Sequence, residues 1–236
     1  MRTARLLLHG LIGIAAGHAA AQAQALSPLA AAPPWRLVGL AHQTKPFTQF
    51  SMVEHDGRHA LRIEADRSYG NLVHALAPTQ ALHHLAWHWQ VDLPNTAADL
   101  RQRSGEDMAV RVCALFDTPL ERLSWIDRGL LKAMRLRSGE AVPPASLCYV
   151  WDSRLEPGTL VESPFTRRVR FIVLRGPESP PHRWADERRD LDADFIRAFG
   201  DESKEVPPLI GVAVGADADN TGLHTLAYLS DLALER

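Results

Sequence analysis

An antiparallel, jelly-roll-like β-sandwich with two helices at its edge is the fold this mainly β sequence predicts. Three observations carry that reading. Short segments alternate apolar and polar residues with a period of two, the pattern of half-buried strands. Glycine, asparagine, aspartate and proline punctuate them as turns. The two helical stretches stand apart as insertions and do not alternate with strands, as a parallel α/β fold would require.

Trp35 to Leu40 is the first candidate strand. Phe47 to Glu54 and Arg58 to Ala65 flank Asp56-Gly57, a dipeptide suited to the positive φ of a tight hairpin. Gly70 to Leu76 follows as another short strand. In Leu85 to Val91, Leu85, Trp87, Trp89 and Val91 share one face, while Ala86, His88 and Gln90 share the other. The tryptophans are therefore expected in the core, with a sugar-stacking platform as the less favoured alternative. Met108 to Phe116 is a strand whose apolar run is interrupted by Arg111, and a mid-sheet arginine requires an acidic partner or solvent.

Thr118-Pro119-Leu120-Glu121 has the form of a capping box with proline at the first helical position. Leu120, Leu123, Ile126, Leu130 and Met134 follow at helical spacing, with Gly139 placed to end the helix. The expectation is an amphipathic helix lying on the sheet. Lys132, Arg135 and Arg137 also fit a helix at a membrane surface, the less favoured alternative. Leu147 to Asp152 and Arg168 to Arg175 read as strands. Trp184, Arg188, Leu191, Phe195 and Phe199 mark a second helix, ended by Gly200. The last two strands, Leu209 to Val214 and His224 to Leu234, bracket a polar loop bounded by Gly215 and Gly222. No internal repeat is visible.

The 236 residues suit one large all-β domain, placed at 35–236. Residues 1–25 read as a signal peptide, with Arg2 and Arg5 ahead of an apolar run and small residues at Ala21, Ala23 and Ala25. An Ala/Pro-rich linker, 26–34, follows. The chain is thus expected to be exported to the periplasm or beyond, with no transmembrane segment after cleavage. A net charge of -2 gives no footprint for nucleic acid. In that compartment the two cysteines, Cys113 and Cys148, form a disulfide or remain two buried thiols.

Several of these segments together resemble a known group of exported bacterial proteins. They are Leu85 to Asp92, Gly105-Glu106-Asp107 with Arg111, Tyr149-Val150-Trp151, the Trp184 to Gly200 stretch and Asp217 to Gly222. The group is known as domain of unknown function 3047, and the resemblance spans about Trp35 to Leu234. It implies no activity. The ending Ala227 to Leu232 is also similar to the last strand of galactose-binding-like and other carbohydrate-binding sandwiches.

The chemistry concentrates in the last loop. Asp217, Asp219, Asn220 and Thr221 supply two carboxylates, an amide and a hydroxyl within five residues. Asp217, Asp219 and Asn220 are hard oxygen ligands of the kind calcium takes, and equally residues that cap their own turn. Glu106 and Asp107 form a second acidic pair, the catalytic candidates if this is a glycosidase, and otherwise part of a charge network around Arg111, the favoured reading. Arg111 is expected to reach Asp217 or Asp219. With Tyr149 and Trp151 as aromatic faces, these residues make a candidate ligand site. The leading expectation is a non-catalytic domain binding a saccharide or cell-envelope component. A hydrolase using the carboxylate pair and a purely structural envelope protein are the alternatives. His84 and His88, four residues apart on one strand, lie about 13 Å apart and cannot share a zinc ion.

Overall fold

The computed structural model describes residues 23–26, 33–138 and 142–236. The expected leader lies outside the described residues except for Ala23 to Ala25. Most of the linker and the Gly139 helix stop lie outside them too.

Among the described residues, thirteen strands form two stacked sheets. In chain order they are β1 (Gln24–Ala25), β2 (Trp35–Val38), β3 (Gln49–His55), β4 (Arg58–Asp66), β5 (Tyr69–Thr79), β6 (His84–Leu93) and β7 (Met108–Phe116). Then come β8 (Ala145–Trp151), β9 (Leu160–Glu162), β10 (Val169–Arg175), β11 (Ala185–Asp190), β12 (Leu209–Asp217) and β13 (His224–Glu235). The six-stranded sheet runs β11-β6-β13-β4-β3, with β1 beside the far end of β13. The seven-stranded sheet runs β2-β5-β12-β7-β8-β10-β9. Helices α1 (Trp125–Ser138) and α2 (Leu191–Phe199) interrupt the strands.

The β3-β4 hairpin turns at Asp56 and Gly57 with φ of 49° and 76°, the left-handed pair a two-residue turn needs. Alternation on β6 sends Leu85, Trp87, Trp89 and Val91 between the sheets, all at most 1% exposed. Trp87 meets Trp89 edge-on at 5.4 Å and lies 5.4 Å from the Tyr149 ring of the opposite sheet. On β7 the same alternation buries Val110, Val112, Ala114 and Phe116 in that core. It turns Arg111 and Cys113 to the outer face. There a second apolar cluster forms around Val150, Phe171 and Val173, under Leu100, Leu155 and Val161. Cys113 and Cys148 sit directly opposite each other on β7 and β8 and are joined by a disulfide.

Four features depart from the expectation. First, β8 and β10 pair in parallel, whereas the other strand pairs among the described residues are antiparallel. The segment between them is long enough to carry the chain back to the starting end of β8, as a parallel pair requires. Second, Ala185 to Asp190 is an edge strand on β6, and helix begins only at Leu191, capped by the Asp190 side chain accepting from the Ala193 amide. Alternating burial along β11 overrides the helical spacing of Trp184 and Arg188. Third, the capping box at Thr118 does not form. Leu120–Arg122 is a single 3₁₀ turn, the chain extends at Leu123, and Ser124 caps α1 by accepting from the Asp127 amide. Fourth, Ile126 and Leu130 do not pack on the sheet but are 61% and 40% exposed, because only the edge of α1 carrying Leu131 meets the body.

Candidate functional site

The polar loop after β12 closes over one end of the sandwich. Gly222, at φ 70°, lets the chain reverse and donates its amide to the Ala218 carbonyl. The loop is held from beneath by Asp107, which is fully buried. Asp107 accepts from the Thr221 amide and hydroxyl at 2.6 Å each and from the Asn220 amide and side chain at 3.3 and 3.0 Å. Four donors saturate the carboxylate, so its role here is to order the loop.

Arg111 lies beside this assembly, 6% exposed. Its Nη1 is 3.7 Å from Asp217, the last residue of β12. Its Nε donates to Asn71 Oδ1 at 2.9 Å, and its guanidinium lies 5.1 Å from the Tyr69 ring centre. Gly215, directly across from Arg111 in the ladder, makes room for this arrangement. A Cβ there would stand 2.1 Å from Asn71 Oδ1 and 2.6 Å from the Gly70 carbonyl. The sequence thus couples an arginine on β7, an asparagine on β5 and a glycine on β12 through one register.

Of the acids expected to meet Arg111, the structure brings Asp217 to it. Burial pushes the Asp217 carboxyl well above its ordinary range, opposed by the Arg111 charge and reinforced by neighbouring Asp219. Asp107, Asp217 and Asp219 each place a carboxylate oxygen within 4.8 Å of the others, so Asp107 joins the two acids expected of a cation site. Asn220 donates its side-chain nitrogen to Asp107 and to the Glu106 carbonyl.

Glu106 precedes Asp107 and is 9% exposed. Burial pushes its carboxyl up to about 7, with the charge of Asp107 acting the same way, while Ser163 and Arg111 pull it down. The Ser163 hydroxyl donates to Glu106 at 2.7 Å. Folded protein therefore keeps a proton that the unfolded chain loses near pH 4.5. Stability from this group is fully present below that pH and is lost as pH rises to about 7. The Glu106→Gln variant is expected to lose that decline. In urea melts at pH 8 it should gain up to about 3 kcal/mol over the parent, with little difference at pH 4.5. Equal shifts at both pH values would contradict this.

Tyr149 and Trp151 fall outside the site. They occupy the opposite face of β8 from Val150, at 0% and 5% exposure, and pack on Trp87 and Trp89 between the sheets. Strand alternation decides this, since Val150 rather than its neighbours shares the Arg111 face. The Tyr149 hydroxyl donates to Asp194 on α2.

A groove not anticipated from the sequence opens at the same end, where the Ala218 amide bonds the Ser68 carbonyl and the Arg67 amide bonds Leu223. Phe47, Gln49, Glu64, Asp66, Ser68 and His224 line it. The Phe47 ring is 47% exposed, and its backbone bridges Tyr69. Glu64 is fixed by Arg62 at 2.6 Å and by His224 at 2.9 Å. These residues come from three separate segments, and none carries a local motif.

Residues 33–233 match the family described as a protein of unknown function, DUF3047, and the chain belongs to that family. No curated protein matches it. Among solved structures, the chain is similar to the endoglucanase cel12A from Rhodothermus marinus, with 12% identity and a TM-score of 0.42 over 91% of this chain and 100% of that one. It is also similar to endoglucanase 3 of Trichoderma harzianum, from family GH12, at 7% identity and TM-score 0.43 over 92% and 98% of the two chains. The xyloglucanase domain of NopAA from Sinorhizobium fredii, in complex with cellobiose, aligns at 6% identity and TM-score 0.41 over 86% and 96%.

Proposed function

We propose that this family member is an exported, non-catalytic domain that binds a saccharide or related polyhydroxylated envelope component in the groove beside its terminal loop. The observation that supports this is the groove's composition. An exposed aromatic ring, Phe47, stands among Gln49, Glu64, Asp66 and His224. A sugar ring offers an apolar face to stack and hydroxyls to bond, and concave sites with a few placed polar groups suit that chemistry. Buried Arg111, Asp107 and Asp217 then serve to hold the loop, with Asp219, Asn220 and Thr221 at its more open tip. Asp107 is saturated by four donors and Arg111 already balances Asp217, so the acidic cluster works without calcium in this reading. Calorimetric heat on calcium addition would contradict that point. A glycan array probed with the purified protein is expected to show a restricted set of retained saccharides; a blank array would refute the proposal.

One observation favours hydrolysis instead. Burial pushes the Glu106 carboxyl up to about 7, into the range that suits a general acid. Release of reducing ends from a retained polysaccharide, abolished by Glu106→Gln, would establish that reading. Binding unchanged by Glu106→Gln, with no reducing ends released, supports the non-catalytic one.

A further inference from the structure

Helix α1 presents an apolar face that nothing in the described fold covers. At 100° per residue, Trp125, Ile126, Leu130 and Leu136, with Gly129 and Ala133 between them, fall within an arc of roughly 140°. All six are exposed. Trp125 is 77% and Leu136 87% exposed, and they share one helix face rather than being scattered singly over the surface. The opposite edge fastens the helix to the body through buried Leu131, through Asp127, which faces Arg168 at 3.9 Å, and through Arg135, which donates to the Val142 carbonyl.

The charge beside this face selects its partner. Arg128 and Lys132 flank the arc on one side, are exposed, and form no ion pair among the described residues. The helix sequence carries four basic residues against the single acid Asp127, in a chain whose net charge is -2. An apolar stripe ending in tryptophan and edged by unpaired cations matches an anionic lipid surface, where rings and aliphatic chains enter the headgroup boundary and cations meet phosphates. At 14 residues the helix is about 21 Å long, and no helix among the described residues is long and apolar enough to cross a membrane.

We propose that α1 is a membrane-surface helix that seats this domain on an anionic bilayer, with Trp125, Ile126, Leu130 and Leu136 inserted and Arg128 and Lys132 against lipid phosphates. The test is co-sedimentation of the full chain with vesicles of equimolar phosphatidylglycerol and phosphatidylethanolamine, compared with phosphatidylcholine vesicles. The parent should partition to the anionic vesicles at least about tenfold more strongly, and added salt should weaken binding. The combined variant Trp125→Ser, Ile126→Ser, Leu136→Ser should lose about tenfold or more in that partition while melting at the parent's temperature, since these side chains are exposed. Bromine-labelled lipids should quench the parent, and quench Trp125→Phe less. Three outcomes would overturn the proposal. They are equal partition of parent and combined variant, equal quenching of parent and Trp125→Phe, and a self-associated parent that the substitutions convert to monomer without any lipid binding. The last would assign the face to a second copy of the chain.

Discussion

Replacing Asp217 by alanine is expected to destabilise the protein by about 3–5 kcal/mol, the cost of stranding a buried arginine. Arg111 and Asp217 have side chains 8% and 5% exposed, and Asp217 is the one carboxylate among the described residues within ion-pair distance of Arg111. With it gone, the guanidinium retains Asn71 Oδ1, the Met108 sulfur and the Tyr69 ring, and no carboxylate at ion-pair distance among the described residues. None of these offsets the loss of hydration. Removing both charges should cost much less than removing one, because no unpaired charge then stays buried. The double variant Arg111→Met, Asp217→Ala should therefore be more stable than Asp217→Ala alone. Additive losses in a denaturant double-mutant cycle would show that the two side chains do not depend on each other.

Trp87→Ala is the second large effect, also about 3–5 kcal/mol, from a cavity between the sheets. Trp87 is 1% exposed and touches rings on both sheets, Trp89 beside it and Tyr149 across the core, so the gap cannot close by a local shift. Its neighbour His88 points outward to Asp186 at 2.5 Å and Asp231 at 3.7 Å. His88→Ala should cost only about 0.5–1 kcal/mol, as an exposed pair does. Urea melts giving the reverse ranking would invert the assignment of faces on β6.

Period-two patterning was readable wherever one face is buried and the other wet, which is why β4, β6 and β7 follow from their residues. The need of Arg111 for an acid could also be foreseen, because a mid-strand charge poses a question that only the adjoining loop could answer. The helices were harder. Trp184 and Arg188 have helical spacing by coincidence, and pairing with β6 draws that stretch into a strand. In α1 the sequence shows an apolar stripe but not what covers it, and the stripe faces outward. Tyr149 and Trp151 looked like ligand platforms because composition does not reveal which sheet face they share. The groove was invisible for a different reason. Phe47, Glu64 and His224 become neighbours only when β3, β4 and β13 align, and no single segment holds enough of it to read.

The most direct test concerns Phe47. Its ring is exposed and lines the groove, so Phe47→Ala should leave the melting temperature within a degree or two, about the effect of a surface change. The same variant should weaken retention of the array-positive saccharide by about tenfold or more, the loss of one aromatic stacking face. Full retention by Phe47→Ala, at an unchanged melting temperature, would contradict the assignment of this groove as the binding site.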